Sequence, residues 1–117
     1  MMNNDLQIEV SWFMNENMAG ELHFNYFDKE GNMVGNIIVD AFGNMRWEIF
    51  NLAYRDYLSS IINYIYVGDL NNNISFESKD MNGLRWTRAR IYIEKHGLLI
   101  NYHHPYEVFE ENNNYIR

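Results

Sequence analysis

The chain is 117 residues long, 47% hydrophobic, with one proline and no cysteine; it reads as one domain with a packed core, and general disorder is excluded. The missing cysteines exclude a disulfide scaffold, a thiolate metal site and a cysteine nucleophile. The net charge of −7 is unevenly spread: residues 1–84 hold twelve acids against four bases, whereas 85–106 hold Arg85, Arg88, Arg90 and Lys95 against Glu94 alone.

In chain order, Leu6, Ile8, Val10 and Trp12 alternate with Gln7, Glu9 and Ser11, the period-2 pattern of a half-buried strand. Asn15-Glu16-Asn17 interrupts it, and Leu22, Phe24 and Tyr26 resume the alternation against His23 and Asn25, which predicts a hairpin. Asp28-Lys29-Glu30-Gly31-Asn32 is a tight turn, because an Asp side chain bonds backbone two residues on and Gly accepts positive φ. A third strand covers 33–42. The turn signal recurs as Asp40-Ala41-Phe42-Gly43-Asn44, and Met45, Trp47 and Ile49 then alternate with Arg46 and Glu48 as a fourth strand.

The period then changes. Tyr54, Tyr57, Leu58, Ile61, Ile62 and Ile65 recur at helical spacing with polar residues between them, which predicts an amphipathic helix over about 51–67. Asn51 suits its N-cap and Gly68 its C-terminal stop. Further strands are expected at 74–78, 84–94 and 98–103, with turns at 80–83 and at His96-Gly97. The expected fold is α+β: a single domain over 1–117, an antiparallel sheet of about six to seven strands packed on one helix, and a frayed tail at 110–117.

Both Asp-x-x-Gly-Asn-Met copies could be read as cation loops, but neither supplies the spaced oxygen ligands and closing Glu of an EF-hand. Over Tyr26-Phe27-Asp28 and Gly31-Asn32 the repeat resembles the tyrosine-aspartate repeats of large bacterial surface and toxin proteins. Turn chemistry accounts for both copies without a ligand. The four histidines lack ligand spacing: His103 and His104 would point to opposite faces of a strand, His23 lies on a polar strand face, and His96 lies in a turn. No metal and no cofactor is expected. Phosphate loops, nucleophile elbows and dinucleotide fingerprints are absent from the sequence.

Read as a strand, Trp86, Arg88, Arg90 and Tyr92 share one face, a stripe suited to stacking, to phosphate or to a protein interface. The plainer reading is a strand face whose arginines pair with acids across the sheet. An acidic body argues against nucleic acid, since the net field repels phosphate. The acids of the body, Glu9, Glu21, Glu48 and Asp56 among them, are dispersed; they either solubilise the surface or form a field complementary to a basic partner. Eighteen asparagines, nine tyrosines and only three lysines make an interface-like composition.

The expectation is a non-enzymatic, cytoplasmic protein-binding inhibitor, in the manner of an immunity or antitoxin protein blocking a basic toxin such as a nuclease. Its candidate contact residues are Trp86, Arg88, Arg90, Tyr92, Glu9, Glu21, Glu48 and Asp56, with no direct nucleic-acid contact and no membrane insertion. The alternative is a small enzyme or ligand-binding module with a helix–sheet cleft, using His or Arg on an anionic ligand. A segment resembling a secretory signal or a membrane span is not seen in the sequence.

Overall fold

A computed structural model of the chain describes residues 6–68 and 81–103. Four strands form a meander in chain order: β1 (Gln7–Met14), β2 (Gly20–Phe27), β3 (Met33–Asp40) and β4 (Met45–Ile49). β1, β2 and β4 follow the alternation that their sequences show, β3 is buried along most of its length, and each neighbouring pair is antiparallel.

One turn design joins all four strands. Asp28 accepts backbone N–H bonds on Oδ1 from Glu30 and Asn32, and Asp40 does the same from Phe42 and Asn44. In both, the fourth residue is a glycine at positive φ (Gly31 at 87°, Gly43 at 89°) whose N–H returns to the Asp carbonyl. The first hairpin repeats the design with other residues. Asn15 Oδ1 accepts from Asn17 and Ala19, and Met18, at φ 63°, donates to the Asn15 carbonyl. All three are three-residue loops closed by a left-handed residue, which suits the twist of a hairpin.

After β4 a 3₁₀ turn, Leu52–Tyr54, leads into helix α1 (Arg55–Val67). Asn51 caps that turn by accepting from Ala53 N–H, and Gly68 at φ 86° ends α1. Helix α2 (Met81–Lys95) follows, ended by Gly97 at φ 63°: Leu98 N–H reaches the Ile93 carbonyl and Gly97 N–H the Glu94 carbonyl, a Schellman closure. The chain then enters β5 (Ile100–His103), which lies parallel to β1.

The sheet order is β4-β3-β2-β1-β5. Both helices pack on the face bearing Val10, Leu22, Phe24, Tyr26, Ile37 and Val39, where Leu58, Ile65, Tyr92 and Ile93 complete the core. Gly35 lets α1 approach: a Cβ there would stand 2.6 Å from Leu58 Cδ1 and 3.0 Å from the Glu48 carbonyl oxygen.

The α+β architecture is as expected, with corrections, the first being that two helices rather than one pack on the sheet. The described sheet has five strands rather than six or seven. It is mixed rather than antiparallel, because the connection into β5 runs through two helices and no hairpin dictates its direction. Residues 84–94, expected as a strand, belong to α2, and so does the 81–83 part of the expected 80–83 turn. The His96-Gly97 turn is present. The last strand starts at Ile100 rather than 98, because Leu98 is engaged in closing α2. The expected strand at 74–78 and the tail at 110–117 lie outside the described residues. No described helix is long and apolar enough to cross a membrane.

Candidate functional site

Because both helices lie on one face of the sheet, the other face of each strand is left without a helical cover among the described residues. Period-2 geometry assigns its residues. The cross-strand register then sets three rows: Glu48–Asn36–Asn25–Glu9, then Arg46–Ile38–His23–Ser11–Asn101, then Asp40–Glu21–Phe13–His103.

Glu21 is the acid of this face held by side chains from several strands and turns. Its side chain is only 13% exposed. Asn15 Nδ2 donates to Oε2 at 3.2 Å, His23 Nε2 stands 2.9 Å from Oε1, and Arg46 Nη2 lies 3.8 Å from the same oxygen. An ionised carboxylate only accepts, so His23 donates from Nε2. Burial pushes the Glu21 carboxyl up, but the bonds from His23 and Asn15, with the charges of Arg46 and His23, outweigh it and hold the group below its ordinary value of 4.5. The first hairpin turn therefore has a second use: Asn15 shapes the loop with Oδ1 and orients Glu21 with Nδ2.

Beside this network Phe13 is stacked on His103, with ring centroids 4.5 Å apart and an 8° interplanar angle, and meets the edge of His23 at 4.8 Å. Asp40, in contrast, is used up locally: Oδ1 accepts two backbone N–H bonds and Oδ2 accepts from Asn44 Nδ2. Glu9 and Glu48 are exposed and end the lower row, three strand spacings or about 14 Å apart.

Of the candidate acids, the structure therefore brings Glu9, Glu21 and Glu48 to one face. Asp56 is not among them; it lies exposed in the first turn of α1, 3.7 Å from Arg55. His23, Arg46, Phe13 and His103 join the face although none of them was a candidate contact residue. Strand parity was the available signal, since each of these residues alternates with a core residue of its own strand.

The expected stripe Trp86, Arg88, Arg90 and Tyr92 is corrected, because a helix turns successive residues by about 100° and does not align every second one. Arg88 and Tyr92 face inward, 8% and 6% exposed, while Arg90 is exposed. Arg88 Nε donates to the Ile65 carbonyl at 2.9 Å and Nη2 to the Tyr66 carbonyl at 3.0 Å. Burial lowers its pKa, as does Arg85 nearby, with Tyr64 opposing. Arg85 Nε also reaches the Tyr66 carbonyl, at 3.2 Å, its Nη1 reaches the Gly43 carbonyl at 3.1 Å, and its guanidinium lies 3.9 Å from the centre of the Tyr66 ring. These arginines close the C-terminal end of α1, where the carbonyls are orphaned and the dipole is negative. Among the described residues, neither Arg88 nor Arg90 stands within ion-pair distance of a carboxylate.

Tyr92 is a core residue: Tyr26 OH donates to its hydroxyl at 3.3 Å, and its ring meets Phe24 edge-on at 5.7 Å. Trp86 and Arg90 do share one feature, a groove of about 440 Å³ beside β5, lined also by Ile91, Glu94 and Ile100.

No family model, no curated protein and no solved structure matches this chain.

Proposed function

We propose that this chain is a non-enzymatic, acidic protein-binding module whose helix-free sheet face receives a basic protein. Within that class the reading is an immunity-type inhibitor that blocks a basic toxin such as a nuclease in the cytoplasm. The observation that carries it is the convergence of Glu9, Glu21 and Glu48, from three separate strands, on the one sheet face that neither helix covers. A rigid sheet presents such charges at fixed spacing, and Glu21 is held ionised by its own neighbours. Acids arranged this way speed the capture of a cationic partner more than they tighten the final complex, which is what an inhibitor of a lethal enzyme requires. The same field disfavours nucleic acid itself as partner.

The alternative, a small enzyme or ligand-binding module, places its cleft between helix and sheet. Among the described residues that space holds Phe24, Tyr26, Leu58, Ile65 and Tyr92 in mutual packing, which favours the binding reading.

The experiment is capture at low salt. Tagged protein is exposed to lysate of its source and to the product of the adjacent gene, and association rates are measured for any retained protein. A basic protein should be retained, and Glu9→Arg combined with Glu21→Gln should slow association by about tenfold or more. Retention of no partner at low salt, or rates indifferent to the two substitutions, overturns the reading.

A further inference from the structure

Strand β4 is an edge strand of the described sheet, and its hydrogen-bonding pattern states which of its backbone groups look outward. Asp40 N–H donates to the Asn44 carbonyl, and Phe50 N–H donates to the Val34 carbonyl. In an antiparallel ladder, bonded residues alternate with non-bonded ones. Asn44, Arg46 and Glu48 thus turn their N–H and C=O groups toward β3, and Met45, Trp47 and Ile49 turn theirs to the outer edge, which no other described strand pairs. Three donors and three acceptors stand there in strand geometry.

We propose that this edge pairs with β4 of a second copy of the chain, antiparallel, about a two-fold axis at Trp47. The sequence of the strand is complementary to itself in that register. Arg46 falls opposite Glu48 of the other copy, and does so twice by symmetry; Met45 falls opposite Ile49, and Trp47 opposite Trp47. The outward groups of Met45, Trp47 and Ile49 fall in bonded positions, so Arg46 and Glu48 take the non-bonded positions, where side chains across the pair lie closest.

The exposed apolar residues fit the same arrangement. Trp47 is 41% exposed although its ring lies 5.9 Å from that of Tyr66. Pairing at Trp47 extends this row into Tyr66–Trp47–Trp47–Tyr66 across the axis. Phe50 arrives opposite Asn44 of the other copy, next to that copy's Phe42, and both phenylalanines are more than half exposed. An edge carrying apolar side chains and unpaired backbone groups is a template for strand addition, and an isologous contact closes at two copies without leaving a growing end. The opposite edge, β5 (Ile100–His103), lacks this self-complementarity: its central pair would set Asn101 against Tyr102 with no opposite charges. Glu48 belongs both to this edge and to the acidic face proposed above, and Arg46 lies 3.8 Å from Glu21; the dimer is measured on the chain alone, so its failure and a failure of partner capture are distinguishable.

The test is sedimentation velocity over a concentration series on the full chain, with amide exchange as a second readout. Expected are a reversible dimer and concentration-dependent protection of the Met45, Trp47 and Ile49 amides. Arg46→Glu or Glu48→Arg alone faces like charges across both symmetric pairs and should weaken the dimer by about tenfold. The charge swap R46E/E48R restores opposite pairs and should return the dimer to near the original affinity, a recovery that general damage to folding does not produce. A monomer at every concentration, a swap that fails to restore, or protection confined to β5 overturns the proposal.

Discussion

Arg88 on α2 donates from Nε to the carbonyl of Ile65 on α1 at 2.9 Å, so one helix supplies the C-terminal cap of the other. Its guanidinium spans that carbonyl and the next one, Tyr66, in a planar fork. Replacing Arg88 by Ala strips partners from buried carbonyls and removes a packed side chain. It should cost about 3 kcal/mol in urea unfolding. Arg88→Lys keeps the charge without the fork and should recover less than half of the loss. Equal stability for Arg88→Lys and the native chain contradicts the capping role.

The buried pair Tyr26 and Tyr92 makes stability sensitive to alkali. Burial raises Tyr92 to about 12, with the bond donated by Tyr26 opposing and Tyr57 reinforcing. Tyr26 is raised well above 10.0, first by burial and then by Tyr92. The unfolded chain releases each phenolic proton near pH 10, while the folded chain keeps it, so the unfolded state binds fewer protons. Stability should therefore fall as pH rises above 10, by about 1.4 kcal/mol per pH unit for each tyrosine retained. Tyr92→Phe should make the fall shallower in denaturation series between neutral pH and pH 11.

Glu21 acts in the opposite direction on the pH scale. Its carboxyl is held below 4.5 in the folded state, against its burial, by His23, Asn15 and Arg46. That stabilisation is fully present above the unfolded pKa and is lost as pH falls through the lower folded value. Glu21→Gln should cost about 1 kcal/mol at neutral pH and should flatten the acid limb of the stability profile below pH 4.5. An unchanged acid limb shows that the network around Glu21 is not stabilising the ionised form.

The three hairpin turns offer a gain as well as a loss. Met18 occupies the left-handed position that Gly31 and Gly43 fill in the other two, and its side chain is 77% exposed. Met18→Gly removes a Cβ clash worth about 1 kcal/mol and deletes few contacts, so it should raise the unfolding midpoint. Asp40→Ala should lower stability by about 2 kcal/mol, because three hydrogen bonds to a buried carboxylate are lost. Asp28→Ala removes two exposed bonds and should cost about half as much.

Much of the fold is legible in particular residues. The alternation of Val10, Leu22, Phe24 and Tyr26 with polar neighbours reports the first hairpin of the meander, and Asp28 and Asp40 with their glycines report two turns by chemistry that needs no distant partner. The third turn is hidden because Asn15 and Met18 replace Asp and Gly while keeping the geometry. The acids of the open face were legible individually, since Glu9, Glu21 and Glu48 each lie on the polar parity of a strand. Their convergence, and the addition of His23, Phe13 and His103, depended on strand order and register.

Helix α2 shows where local pattern fails. Arg85, Arg88, Ala89, Tyr92, Ile93 and His96 recur at helical spacing, but arginines counted as solvent-facing break the stripe, and Trp86, Thr87, Ile91 and Tyr92 favour a strand on propensity alone. What the sequence determined unaided was everything whose cause lies within a few residues: the acidic excess, the meander with its turns, and α1 with its stop at Gly68, although Asn51 caps the 3₁₀ turn ahead of α1 rather than α1 itself. The tertiary structure decided the state of 84–94, the parallel fifth strand and the roles of the arginines. A guanidinium is worth burying only where orphaned carbonyls await it, and those carbonyls belong to α1, about twenty residues away.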